Sequence, residues 1–112
     1  MMSKQTLRYA IFVLGLITGV VHLIVLPLSG YEWLLMPLNG LGFLVLTGVV
    51  FFNPAFLSAQ RKLIIYLFMG YTLVTIIGYF VMNSAPFADP IGIFTKVVEV
   101  LLIIALWLYR DN

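Results

Sequence analysis

Apolar residues along this chain fall into four long runs, which are separated by short segments of polar and turn-forming residues. Each run is close to the roughly 20 residues that a helix needs to cross about 30 Å of hydrocarbon. Because the bilayer core holds no water, a segment that crosses it must satisfy its own backbone groups as a helix. The pattern therefore predicts four transmembrane helices, at about Leu7–Leu28, Leu34–Phe52, Leu63–Met82 and Ile91–Tyr109.

The segments between the runs contain residues that begin or end helices. Asn53-Pro54 is expected to end the second helix, and Pro37 to lie in its first turn, where the missing N–H of proline costs little. Asp89 is expected to cap the fourth helix. Connections this short favour antiparallel neighbours. The prediction is an all-α fold with a single transmembrane domain over residues 1–112, an antiparallel up-down-up-down four-helix bundle.

Basic residues concentrate on one side of this threading. Five of the six Lys and Arg residues precede the first helix, lie between the second and third, or follow the fourth: Lys4, Arg8, Arg61, Lys62 and Arg110. Short loops rich in Lys and Arg stay in the cytoplasm. The first run lacks a small-x-small cleavage site and is expected to be retained as a helix. We therefore expect a multi-pass protein of the cell (inner) membrane, with both termini cytoplasmic.

Composition supports a bilayer as the main partner and excludes several function classes. The chain is 63% hydrophobic and 9% charged, whereas soluble domains average roughly 25% charged residues. Six cations are too few and too scattered for a nucleic-acid-binding patch, in spite of the net charge of +2. Cysteine is absent, which excludes disulfides, thiolate catalysis and cysteine-ligated metals.

Six polar or ionisable residues are expected at a similar depth. Counting inward from the outer helix ends at about 1.5 Å per residue places most of them roughly 8–12 Å below the boundary, with the tyrosine nearer the surface. Every predicted helix contributes at least one of them. This coincidence predicts a polar cluster in the outer half of the bilayer, formed by His22, Asn39, Thr75, Tyr79, Lys96 and Glu99.

Helical spacing places the most polar of these residues on shared faces. His22 follows Gly15 and Gly19 at i+7 and i+3, so it shares a face with a G-x-x-x-G pair, which lets a neighbouring helix approach closely. Lys96 and Glu99 are three residues apart and also share a face. Charged groups at membrane depth are costly and usually face the bundle interior. Glu99 is therefore expected to point inward, with Lys96 or His22 as its partner.

Each of these residues also has a purely structural interpretation. Lys96 and Glu99 fit a structural ion pair whose lysine extends toward the membrane surface. His22, Asn39 and Thr75 fit hydrogen bonding between packed helices. The G-x-x-x-G pair fits packing within one chain as well as dimerisation. The pattern alone leaves both interpretations open.

Four segments resemble an uncharacterised family of small four-helix prokaryotic integral membrane proteins. The similar segments are TGVVHL (Thr18–Leu23), LNGLGFLVL (Leu38–Leu46), GYTLVTIIGYF (Gly70–Phe80) and KVVEVLLI (Lys96–Ile103). The resemblance extends over nearly the full length. It implies the four-helix topology and an importance for His22, Asn39 and Glu99, but no activity, substrate or cofactor.

Small multidrug resistance transporters also have four helices in about this length, but two features disfavour that assignment. Their essential carboxylate is in the first helix, whereas the intramembrane carboxylate here, Glu99, is in the fourth. Their dual-topology members have a weak Lys and Arg bias, and the bias of this chain is strong.

Two function classes remain. The first is a structural or complex-forming membrane subunit, in a homo-oligomer or a larger membrane complex, whose polar cluster fixes helix register or docks a partner. The second is a small oligomeric transporter or proton-coupled carrier that uses Glu99, tuned by Lys96 and His22. Haem ligation by two histidines would need two chains, because each has one histidine, and nothing favours haem or quinone. The chain lacks P-loop, H-E-x-x-H and Rossmann motifs, so we predict no enzyme activity, catalytic residue, metal ligand or cofactor.

Overall fold

The computed structural model describes residues 3–25, 35–52, 54–82, 86–88 and 90–110. Within these residues there are four α-helices: α1, Lys4–Val20; α2, Leu35–Phe52; α3, Arg61–Met82; and α4, Pro90–Tyr109. A π-helical turn, Val21–Val25, continues α1, while 3₁₀ turns at Ala55–Gln60 and Pro86–Ala88 precede α3 and α4. The described part of the chain is helical throughout its regular elements, as the sequence predicts.

Three of the four helices are long and apolar enough to cross a membrane. They are Lys4–Ile24, formed by α1 and its π-helical turn, Arg61–Val81 in α3, and Pro90–Tyr109 in α4. α2 contributes a shorter apolar stretch, Pro37–Phe52. At about 1.5 Å per residue, the three longer segments measure roughly 30 Å, which is the thickness of a bilayer core.

Helix boundaries differ little from the predicted ones. α1 begins at Lys4, earlier than predicted, because Ser3 caps it: the Ser3 hydroxyl accepts a hydrogen bond from the Thr6 backbone N–H at 3.1 Å. Pro37 lies in the first turn of α2, as predicted. The predicted end of the first helix at Leu28 and the predicted cap at Asp89 lie outside the described residues, as does the stop at Asn53.

α1 and α2 approach closely through two glycines. A Cβ placed on Gly40 would lie 2.5 Å from the backbone nitrogen of Leu23 and 2.6 Å from the carbonyl oxygen of Gly19. A Cβ placed on Gly19 would lie 2.6 Å from Cδ2 of Leu44. Only glycine fits at this crossing, and such close approach provides the van der Waals contact that drives helix association in lipid.

The interior has an apolar part and a polar part. The apolar core, which lies toward the start of α1 and the end of α4, comprises Leu7, Ile11, Phe43, Val50, Ile65, Phe68, Leu102, Ala105, Leu106 and Tyr109. Polar side chains are also buried: Thr18, His22, Thr47, Thr72, Thr95, Lys96 and Glu99. Large apolar side chains such as Val45, Val74 and Val97 are exposed on the outer faces of the helices. The interior is therefore more polar than much of the outer surface.

Candidate functional site

Glu99, near the middle of α4, is fully buried (0% exposed), and both of its carboxylate oxygens have partners. Lys96 Nζ donates a hydrogen bond to Oε1 at 2.5 Å. The Thr18 hydroxyl on α1 donates to Oε2 at 2.7 Å. His22 Nε2 lies 3.7 Å from the same oxygen. We name Thr18, His22, Lys96 and Glu99 the polar cluster, which joins α1 and its π-helical turn to α4.

Lys96 faces the bundle interior. It is only 6% exposed, because its position three residues before Glu99 places both side chains on the same face of α4. Its ammonium lies 5.0 Å from the ring centroid of Tyr79 on α3, a cation–π contact. Lys96 thus lies inside the bundle, in contact with Glu99 and Tyr79, and its extension toward the membrane surface stays a prediction. Gly92 leaves room for the tyrosine ring, since a Cβ at this position would lie only 2.8 Å from Tyr79 Cε1.

His22 lies in the π-helical turn that follows α1, a distortion that is frequent at functional sites. Its Nδ1 is 2.8 Å from the carbonyl oxygen of Thr18. A carbonyl oxygen can only accept, so Nδ1 carries the proton in this contact. The other nitrogen, Nε2, then faces Glu99 at 3.7 Å, which is too long for a hydrogen bond. The imidazole is thus anchored at one nitrogen, and its other nitrogen faces the carboxylate of Glu99.

The polar cluster is balanced in charge. One carboxylate faces one ammonium, so the cluster is neutral overall while His22 is neutral. Burying a single charge is costly unless it is paired and hydrogen-bonded, and Glu99 meets both conditions through Lys96 and Thr18. The arrangement can therefore hold two helices together without leaving a buried charge unpaired.

Asn39 and Thr75 belong to a second hydrogen-bonded group, between α2 and α3. The Tyr71 hydroxyl donates to the Asn39 carbonyl oxygen at 2.7 Å, and the Thr75 hydroxyl lies 3.4 Å from Asn39 Oδ1. The ring of Phe43 separates the two groups, with its centroid 5.5 Å from that of His22 and 4.9 Å from that of Tyr71. In the described contacts, the six predicted residues thus form two groups: His22, Lys96 and Glu99 with Tyr79, and Asn39 with Thr75.

The described residues contain no set of side chains suited to binding a metal ion. Within them, no three His, Cys, Asp or Glu side chains lie together closely enough to hold a metal ion. The groups that the site offers are hydroxyl, imidazole, ammonium and carboxylate.

Comparison with known proteins gives a family but no function. Residues 1–109 match the model of a family of unknown function, DUF7475. The chain belongs to this family. No curated protein and no solved structure matches it. The geometry of this DUF7475 chain itself is therefore the basis for inferring its function.

Two residues of the DUF7475 site are not among the six predicted ones. Thr18 donates the hydrogen bond that links α1 to Glu99, and Tyr71 donates the one that links α3 to α2. Thr18 carries a signal in the sequence, because it precedes His22 by four residues and so shares its face. Tyr71 precedes Thr75 by four residues and carries the same signal.

Proposed function

We propose that this DUF7475 protein is a small integral membrane protein with a structural or complex-forming role, in which the polar cluster holds α1 and α4 in register. The observation that carries this proposal is the state of Glu99, which is fully buried while both its oxygens accept hydrogen bonds from the same chain. A carboxylate satisfied in this way is suited to fixing a helix pair. Buried polar groups of this kind are best attested as devices that set register.

Insertion into a bilayer is supported by the outer surface of the helices. Large apolar side chains are more than half exposed on each of them, among them Val13, Val45, Leu67, Val74, Val97 and Leu108. Water-soluble monomers rarely expose contiguous apolar patches of this kind, because such patches cause association. Lipid covers them at no cost, and the three long apolar helices have the length to reach across.

The contacts at one end of the bundle favour the antiparallel threading. Near the start of α1, Arg8 Nε donates to the carbonyl oxygen of Phe51 at the end of α2, at 2.9 Å. At the start of α3, the Arg61 guanidinium lies 4.6 Å from the ring centroid of Tyr109 at the end of α4. Basic residues from both helix starts therefore meet at one end. By the positive-inside bias, we assign that end and both termini to the cytoplasm of a cell membrane.

The membrane assignment is tested by extraction and labelling. Membranes that contain the protein are washed with alkaline carbonate, and we expect it to stay in the pellet until detergent is added. Because the chain has no cysteine, Gln60→Cys in the exposed turn before α3 gives one labelling site. An impermeant maleimide should label it in inverted vesicles and not in intact cells. Release by carbonate would contradict insertion, and labelling from outside would contradict the orientation.

One observation favours a second function, a proton-coupled carrier. His22 Nε2 and Glu99 Oε2 lie 3.7 Å apart in the bundle interior, so a proton taken up by the imidazole would lie beside the carboxylate. Intramembrane pairs of titratable groups are typical of proton relays.

A flux measurement separates the two functions. Liposomes with wild-type protein or Glu99→Gln are given a pH gradient, and its decay is followed with an entrapped dye. For the structural role, we expect equal decay in both preparations and in empty liposomes, with lower thermal stability of Glu99→Gln in detergent. Faster decay with the wild type alone would establish the carrier and overturn the structural proposal.

A further inference from the structure

The cytoplasmic end of the bundle, as assigned under the proposed function, contains a cleft of about 250 Å³. It is far from the polar cluster, since Tyr109 follows Glu99 by ten residues, or about 15 Å of helix. The residues that line it come from all four helices: Lys4, Arg8, Phe51, Phe52, Arg61 and Tyr109. We name it the basic cleft, and we propose that it binds a phosphate group, with an anionic phospholipid headgroup as its source. This inference rests on the proposed membrane insertion.

Arg61 supplies the first reason to expect an anion. Its Nη2 is buried, and within the described residues it has no hydrogen-bond partner. The guanidinium lies 4.6 Å from the ring centroid of Tyr109, which is itself only 3% exposed and so forms a fixed platform. A buried donor without an acceptor is rare in folded proteins and calls for a partner. An oxygen of a phosphate in the cleft would supply that acceptor.

Arg8 supplies the second reason, because its guanidinium is held in place. Nε donates to the Phe51 carbonyl oxygen at 2.9 Å, and Nη1 donates to Gln5 Oε1 at 3.2 Å. The group also lies 4.5 Å from the ring centroid of Phe51. A fixed guanidinium loses little freedom when it binds a phosphate through its remaining donors.

Among the described residues, the lining of the basic cleft carries positive charge only. Lys4, Arg8 and Arg61 contribute three cations, and no carboxylate is among the lining residues of the described chain. Guanidinium groups match phosphate oxygens in geometry and form charge-assisted hydrogen bonds with them. The cleft is smaller than the roughly 300–1,000 Å³ of sites for drug-sized ligands, which suits a headgroup phosphate better than a nucleotide.

The aromatic wall favours a lipid over free phosphate. Phe51 and Phe52 line the basic cleft at the end of α2, and Phe52 is 70% exposed toward the surroundings of the helix. Such a ring would contact the glycerol and upper acyl chain of a phospholipid, while free phosphate would leave it unused. Basic pockets between helices on the cytoplasmic side are typical binding places for acidic headgroups.

Lipid titration of the full chain tests this site. The protein in neutral detergent is titrated with phosphatidylglycerol, with phosphatidylcholine of the same acyl chains, or with inorganic phosphate, and binding is followed by native mass spectrometry. We expect phosphatidylglycerol to bind about tenfold more tightly than phosphatidylcholine. Arg61→Gln should lower this ratio of affinities by about fivefold. Lys62→Gln is the matched control, because Lys62 is exposed and adjacent but does not line the cleft. It should change the preference by less than about twofold.

The outcomes separate the alternatives. Equal losses in Arg61→Gln and Lys62→Gln would mean diffuse charge attraction and overturn the site, as would equal binding of both lipids. Arg61-dependent binding of inorganic phosphate that blocks phosphatidylglycerol would support the phosphate chemistry and overturn the lipid source. If Arg61→Gln does not fold, Arg61→Lys keeps the charge without the planar donor set and should lower the preference partway. A protein that resists carbonate yet shows no lipid preference contradicts this inference alone, whereas release by carbonate contradicts the membrane assignment.

Discussion

The polar cluster and the apolar core are equally well buried, but different forces hold them. Thr18 and Glu99 in the first are as inaccessible as Ile11 and Leu102 in the second, all at 0% exposure. In a bilayer, moving a leucine from lipid into the bundle brings no hydrophobic gain, because acyl chains are as apolar as leucine. The apolar core therefore stabilises the bundle through close packing, and the polar cluster stabilises it through hydrogen bonds and charge.

This difference assigns the two regions different tasks. Sliding α4 along α1 by one turn, about 5.4 Å, would bring other apolar side chains into contact and keep much of the packing. The same slide would break the 2.7 Å hydrogen bond between Thr18 and Glu99 and leave a buried charge with one partner fewer. The polar cluster thus specifies the register, while the apolar core supplies contact that many registers would provide.

The largest effect is expected from Lys96→Met. This change leaves the carboxylate of Glu99 buried without its cation, which typically costs about 3–5 kcal/mol of unfolding free energy. Adding Glu99→Gln removes the unpaired charge and keeps an acceptor for Thr18, so the double variant should recover more than half of the loss. Unfolding in mixed micelles with increasing dodecyl sulfate measures both values.

A simple additive loss in the double variant would contradict this account of the polar cluster. It would mean that Lys96 stabilises the bundle through its contact with Tyr79, 5.0 Å from the ring centroid, more than through Glu99. Tyr79→Phe keeps the ring and should therefore leave that contact intact, whereas Tyr79→Leu removes it.

In the apolar core, Leu102→Ala is expected to cost about 2–3 kcal/mol, at the low end of the usual range for leucine truncation. The reason is that the reference state in lipid also shelters the side chain, so that the cost of the cavity remains and much of the transfer term does not. Leu101→Ala, on the neighbouring exposed position (48% exposed), is the matched control and should change little. A second substitution near Leu102 should restore none of the lost stability, whereas adding Glu99→Gln to Lys96→Met should restore more than half of it.

Gly40→Ala tests the crossing of α1 and α2, and we expect a loss of about 2 kcal/mol. The added Cβ would meet backbone atoms of Leu23 and Gly19, which cannot move aside without separating the helices. Gly48→Ala lies on the same helix with nothing within 4 Å of the new Cβ, so it should be neutral or stabilising. Equal effects in the two variants would mean that helix propensity, and not close approach, accounts for the change.

The helices were predictable because an apolar run of about 20 residues that is placed in a bilayer has few alternatives to a helix. Spacing also predicted that Glu99 points inward with Lys96 or His22 as its partner. In the structure, Lys96 Nζ lies 2.5 Å and His22 Nε2 lies 3.7 Å from the Glu99 carboxylate oxygens. Periodicity could not predict the π-helical turn at Val21–Val25, because a run in which nearly every residue is apolar shows little sign of a shift in helical phase.

Depth counting did not reveal that the polar residues form two groups. A count along each helix gives the position of a residue along the helix axis but not the rotation or neighbours of the helix. Asn39 and His22 have similar predicted depths, yet Asn39 contacts Tyr71 and Thr75 on α3 while the Phe43 ring packs against His22. Which helices share an interface depends on packing, and the sequence pattern does not contain that information.

Thr18→Val should have the smallest effect and is the sharpest test of the comparison. The valine keeps the shape and removes the hydrogen bond to Glu99, which should cost about 1–2 kcal/mol, since hydrogen bonds inside membrane bundles are weaker than burial alone suggests. Thr72→Val is the matched control: Thr72 is also 0% exposed, but its hydroxyl donates at 2.8 Å to the Phe68 carbonyl of its own helix. Thr72→Val should lower the unfolding free energy by less than about 0.5 kcal/mol, because the Phe68 carbonyl already accepts a hydrogen bond within the helix.

In the Lys96→Met, Glu99→Gln background the cost of Thr18→Val should fall, since the acceptor is then neutral. An unchanged cost there would mean that Thr18 acts through packing, and the polar cluster would then differ from the apolar core in composition only.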